Sequence, residues 1–82
     1  MYIKFGDRIA VNPHHVEAIE LITTTHPESK RIKIELTLIS GKTVVIKDVA
    51  WKAAGDLERC EEVYNKVLDW LEANQSISVM QW

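Results

Sequence analysis

The run from Arg31 to Asp48 constrains this chain more than any other part of it. Arg31-Ile-Lys-Ile-Glu-Leu-Thr-Leu-Ile39 alternates polar with apolar residues, Ser40-Gly41-Lys42 has the composition of a turn, and Thr43-Val-Val-Ile-Lys-Asp48 is again rich in β-branched residues. Side chains alternate across a strand, so the pattern sets Ile32, Ile34, Leu36 and Leu38 on one face of a hairpin. Such a face has to be covered. Two registers are compatible with the letters. A two-residue Ser40-Gly41 loop pairs Leu38 with Thr43 and Ile34 with Lys47. A three-residue Ser40-Gly41-Lys42 loop pairs Leu38 with Val44, Leu36 with Ile46 and Glu35 with Lys47. Cross-strand apolar and opposite-charge pairs are each worth roughly 0.2–1 kcal/mol, which favours the longer loop.

The cover is legible further on. Gly55 breaks the connection 49–55, and Asp56 has the chemistry of an N-cap. Leu57, Cys60, Tyr64, Val67, Leu68 and Leu71 then recur at helical spacing over Asp56–Asn74. Glu58, Glu61 and Glu62 sit in the first turns, where the helix dipole favours negative charge. Burying the six apolar side chains contributes on the order of 10 kcal/mol before entropy is subtracted. The helix is therefore expected to be integral to the fold.

Upstream, Tyr2–Phe5 and Arg8–Val11 flank Gly6-Asp7, which suits a tight hairpin turn. Asn12-Pro13 opens a single helical or 3₁₀ turn, because proline has the fixed φ of a first helical position. Val16–Thr25 reads as a strand, its second half crowded with β-branched residues, with a helix over Pro13–Ile22 as the alternative. His26–Lys30 reads as a polar loop. The tail 75–82 alternates weakly and is expected to be a sixth, edge strand or a mobile end. The sequence thus predicts one α+β domain over 1–82: an antiparallel sheet of about five strands, a meander of hairpins, within 1–48, with one long C-terminal helix packed on one face.

Composition bounds function by exclusion. The formal charge is −2, divided as +2 over residues 1–55 and −4 over 56–82. Nucleic-acid binding usually wants a larger positive excess or aromatics interleaved on a basic face. The single cysteine, Cys60, excludes an internal disulfide and a thiolate metal cluster, and its place on the apolar helix face makes it a packing residue. His14 and His15 are adjacent and His26 is distant, which does not give the ligand set of a zinc site. No phosphate-binding glycine loop or nucleophile motif is present. No catalytic residue, cofactor or metal is expected, and the chain is read as a non-enzyme. No apolar run has the roughly 18–20 residues of a membrane span, so a cytoplasmic, reducing compartment is the default expectation.

Val11-Asn12, Val16–Glu20 and Ser40–Lys47, in the order hairpin, Asn-Pro turn, strand, hairpin, helix, loosely resemble small bacterial sheet-plus-helix domains, including flagellar and swarming accessory proteins. The shared letters are generic strand and turn residues and assign no family. A single helix covers one side of a sheet, and the other side is expected to be partly apolar, with Val45, Ile39 and Val11 on it. Three tryptophans in a chain this short point the same way, since aromatics are enriched in interface centres. The expected function is a non-enzymatic protein-interaction module, homo-oligomeric, with an accessory or inhibitory role in a bacterial or phage setting. Its candidate surface is Arg31, Lys33, Glu35, Thr37, Ile39, Val45, Lys47, Trp51 and Trp82. The alternative is a small nucleic-acid-associated regulator using the Lys/Arg sheet face, and a small-molecule pocket between helix and sheet ranks third.

Overall fold

A computed structural model describes residues 2–74. The tail 75–82, with Trp82, lies outside the described residues. The elements run β1 (Ile3–Phe5), β2 (Ile9–Val11), a 3₁₀ turn (Pro13–His15), β3 (Val16–His26), β4 (Ser29–Leu38), β5 (Thr43–Ala50) and α1 (Ala54–Ala73). Among the described residues all strand pairs are antiparallel and one helix follows them, so the class is α+β. The strands divide between a two-stranded sheet, β1-β2, and a three-stranded one, β3-β4-β5, where the sequence predicts a single sheet of about five. The 3₁₀ turn separates the two. Pro13 starts it, and the Asn12 side chain accepts from the His14 N–H at 3.0 Å.

Strand β4 is the centre of the larger sheet, and its alternation holds. Ile32, Ile34 and Leu36 are completely buried, while Arg31, Lys33, Glu35 and Thr37 occupy the other face. The helix packs onto the apolar set in two groups. Cys60 meets Ile32 and Ile34, joined by Leu57, Val63, Tyr64 and Trp51. Val67 and Leu71 meet Leu36, Val16 and Val11, joined by Trp70 and by Ile3, Phe5 and Ile9 of the small hairpin. Val11 is therefore core, not part of an open apolar face as the sequence suggested. Leu68, expected on the packed stripe, is only half-buried and belongs to neither group, and Val63 and Trp70 complete the stripe in its place.

The flanking strands do not alternate strictly, and each carries a bulge. On β5 the core-facing residues are Val44, Ile46 and Val49, spaced by two and then by three. A regular strand would turn Val49 outward. The register instead shifts between Ile34↔Lys47 and Glu35↔Val45, leaving Ile46 as an extra residue, so Ile46 and Val49 both face the helix. On β3 the same three-residue spacing separates Val16 from Ile19. There the register shifts between Val16↔Leu38 and Ala18↔Thr37, with Glu17 as the extra residue.

These bulges settle the hairpin register in a way neither sequence alternative contained. The loop is Ile39-Ser40-Gly41, one residue earlier than the expected Ser40-Gly41-Lys42. The Gly41 N–H donates to Leu38 O at 2.9 Å and the Leu38 N–H donates to Lys42 O at 2.8 Å. Gly41 sits at φ 88°, a left-handed position that glycine occupies without a side-chain penalty. Leu36 pairs with Val44 and Glu35 with Val45, so Glu35 does not face Lys47. Beyond the bulge Ile34 pairs with Lys47, the partner that the two-residue loop predicts.

Three smaller boundaries also move. His26–Lys30 is not a loop: His26 pairs with Ser29, and Pro27-Glu28 is a two-residue turn. Phe5 pairs with Ile9, so the first turn is Gly6-Asp7-Arg8. The helix begins at Ala54, two residues before the expected Asp56, with Gly55 inside its first turn.

Candidate functional site

The side of the three-stranded sheet turned away from α1 is built by alternation. Register aligns Ala18, Thr37 and Thr43 across the sheet, then Glu20, Glu35 and Val45, then Ile22, Lys33 and Asp48, then Thr24, Arg31 and Ala50. Of the surface residues read from the sequence, Arg31, Lys33, Glu35, Thr37 and Val45 are brought together on this face. Val45 is 40% exposed and stands beside Glu35. Lys47 is a half-buried bulge residue on the same strand. Ile39 lies in the hairpin loop, 66% exposed, and its N–H donates to His15 O at 2.8 Å. Trp51 does not join the face: it packs beside Val49 and Tyr64, with its N–H donating to Lys30 O at 2.8 Å.

The charges on this face are internally matched. Arg31 Nε lies 2.9 Å from Asp48 Oδ1, across the β4–β5 ladder, and Lys33 Nζ lies 3.2 Å from Glu35 Oε2, two residues along β4. The Arg31–Asp48 pair is exposed on both sides and screened by water, so it orders the surface more than it stabilises the fold, while Glu35 is the more sheltered partner of Lys33. Pairing also leaves little net positive charge at Arg31 and Lys33 for a phosphate backbone to use. Glu20 and Glu35 stand directly opposite one another, a like-charge pair that Lys33 relieves from one side.

Sequence reasoning missed Ala18, Ile22 and Thr24 of β3 as members of this face. Their signal was present in the alternation of Ala18, Glu20, Ile22 and Thr24, but the bulge at Glu17 had to be known before the face could be assigned.

Other candidate chemistry stays dispersed. His14, His15 and His26 are all exposed, and among the described residues no three His, Cys, Asp or Glu side chains gather as a metal site would require. Cys60 is buried against Ile32 and Ile34, which is the environment of a packing residue. An open groove of about 460 Å³ is lined by residues of β2 and of the start of β5. Ile9, Val11, Leu38 and Val44 supply its apolar wall, with Arg8 and His15 at its edge.

Asp56 carries a perturbed acidity with a structural cause. Its carboxylate accepts from the Lys52 and Ala53 N–H groups, each at 2.9 Å, and pairs with Arg59. The two backbone bonds, and then the guanidinium, hold its carboxyl below the ordinary value of 3.8. It ties down the first turn of α1 from the third helical position, which is why Ala53 can precede the helix without a capping side chain. Among the described residues, no helix is long and apolar enough to cross a membrane.

Comparisons with protein-family models, with curated proteins and with solved structures found no match at a significant level.

Proposed function

We propose that this chain is a non-enzymatic protein-interaction module that works as a homo-oligomer, with an accessory or inhibitory role. The observation that carries the reading is the two-sidedness of the β3-β4-β5 sheet. One side is closed by α1, and the other presents Ala18, Ile22 and Val45 among threonines and mutually paired charges. A surface of that make-up, with apolar patches framed by matched ion pairs, suits contact with protein better than contact with a polyanion. The dispersed histidines and the buried thiol support a binding role over catalysis. Small domains also gain stability by pairing. Light scattering coupled to size exclusion tests the oligomeric part: the expected result is a mass above that of one chain, and a clean monomer at high micromolar concentration refutes it.

A further inference from the structure

We propose that two copies of the chain join through the outer edge of β3, pairing Leu21–Thr25 antiparallel with the same segment of the second copy. This deepens the homo-oligomeric reading and rests on it. The sheet order β3-β4-β5 leaves one edge each of β3 and β5 without a strand partner among the described residues. Edges are normally blunted by charge, proline, a bulge or a covering element. The edge of β5 has two of these: a bulge at Ile46, and the charged Lys47 and Asp48 beside it. The first half of β3 has Glu17, Glu20 and a bulge. Leu21-Ile22-Thr23-Thr24-Thr25 has none of them.

Backbone geometry specifies which groups this edge offers. His26 and Ser29 close a two-residue turn, so they form a hydrogen-bonded pair. Along an antiparallel ladder such pairs recur at every second residue, which assigns Ile22, Thr24 and His26 to β4. The Trp51 N–H bonded to Lys30 O agrees, because it turns the even-numbered residues of β4 toward β5. Leu21, Thr23 and Thr25 therefore aim their N–H and C=O groups outward.

A two-fold axis perpendicular to the sheet must place a residue opposite its own copy, because opposed side chains share a face. Centred on Thr23, it sets Leu21 against Thr25 at outward-bonding positions and Ile22 against Thr24 between them. It also sets Glu20 of each copy against His26 of the other, at a non-hydrogen-bonded position where side chains approach most closely. Centring on Glu20 opposes two carboxylates, and centring on Leu21 sets Glu20 against Ile22. Centring on Ile22 sets Glu20 against Thr24 and centring on Thr24 sets it against Glu28, so of these registers only the one on Thr23 gives Glu20 an imidazole partner. That register forms a six-stranded sheet with both helices on one side and both open faces continuous on the other.

The test is light scattering on the full chain, up to high micromolar concentration, with far-UV circular dichroism to confirm folding. The parent is expected to be a dimer. Thr23→Pro removes an outward N–H, and Thr23→Lys opposes two cations at the axis; each is expected to give a folded monomer. Thr23 is exposed, so the lysine variant keeps the test open should the proline variant not fold. Glu20→Lys is expected to weaken the dimer about tenfold, and Glu20→Lys with His26→Glu to restore it. A parent dimer that survives Thr23→Lys but is broken by Val45→Lys overturns the edge pairing and leaves self-association through the open face. A monomeric parent overturns both.

Discussion

Deletion of Lys47 distinguishes a bulged β5 from a regular strand. A one-residue deletion inside a regular strand inverts every side chain beyond it. In β5 it removes one of the two residues, Ile46 and Lys47, that share the bulge. Leu36↔Val44 and Glu35↔Val45 remain on the loop side, and Lys33↔Asp48 and Ile32↔Val49 remain on the other. Ile46 falls opposite Ile34, and Val44, Ile46 and Val49 all still face the helix, now by plain alternation. The loss is one half-buried lysine side chain, for which about 1 kcal/mol or less is expected. Deletion of Glu35 from β4, where there is no extra residue, is the contrast. It must turn out either Ile32 with Ile34 or Leu36 with Leu38. Losing two buried aliphatic side chains costs about 4–10 kcal/mol, comparable to the whole stability of a small domain. Urea unfolding followed by far-UV circular dichroism and tryptophan fluorescence reads both variants. The expected outcome is a cooperative transition near the parental midpoint for the Lys47 deletion and no folded baseline for the Glu35 deletion. An unfolded Lys47 deletion refutes a bulge in which Ile46 and Lys47 together oppose Ile34.

Other expected outcomes concern single positions. Cys60→Ser places a hydroxyl against Ile32 and Ile34 and should cost about 1–3 kcal/mol by urea titration; an unchanged midpoint would show that the hydroxyl finds a partner, such as the carbonyl one helical turn back. Gly41→Ala forces a side chain into a left-handed loop position and should cost about 1–2 kcal/mol. Gly55→Ala should instead stabilise by about 0.5–1 kcal/mol: it lies in the first helical turn, and an added Cβ meets only the flexible end of Arg59, at 3.3 Å. A lower melting temperature for Gly55→Ala would contradict that. The lowered pKa of Asp56 means that folding favours its ionised form. Its contribution is fully present above the unfolded value and is lost as pH falls through the lower folded value. Asp56→Asn should therefore be less stable than the parent at neutral pH, and the gap should close below about pH 4. A gap that stays constant with pH would assign the loss to packing.

The class, the central hairpin and the helix were readable because each rests on a local period. Ile32, Ile34 and Leu36 alternate, and Leu57, Cys60, Val67 and Leu71 recur at helical spacing. What escaped depended on pairing across the chain. Nothing local marks Ile46 or Glu17 as an extra residue, because a bulge is decided by the partner strand and by the helix that Val16 and Val49 have to reach. The helix start escaped because Asp56 acts backwards, on Lys52 and Ala53, and not as the capping residue itself. The division into two sheets follows from the turn at Pro13–His15, whose composition was legible but whose effect on sheet continuity was not. Of the candidate surface, Arg31, Lys33, Glu35 and Thr37 of β4 share one face by parity. Trp51 is read as a surface residue from the enrichment of aromatics at interfaces, yet its backbone extends the β4–β5 ladder and its ring packs against the Ile32, Ile34 and Cys60 cluster.

The element order has a consequence for synthesis. Because α1 follows the whole sheet in the chain, the apolar side of β4 is synthesised before the residues that cover it. At about 5–20 residues per second, the stretch from the end of β5 to the end of α1 takes one to several seconds. Until α1 is complete, Ile32, Ile34 and Leu36 have no lid within their own chain. Conditions that slow elongation late in the message should therefore lower the yield of soluble protein without altering the stability of the molecules that do fold.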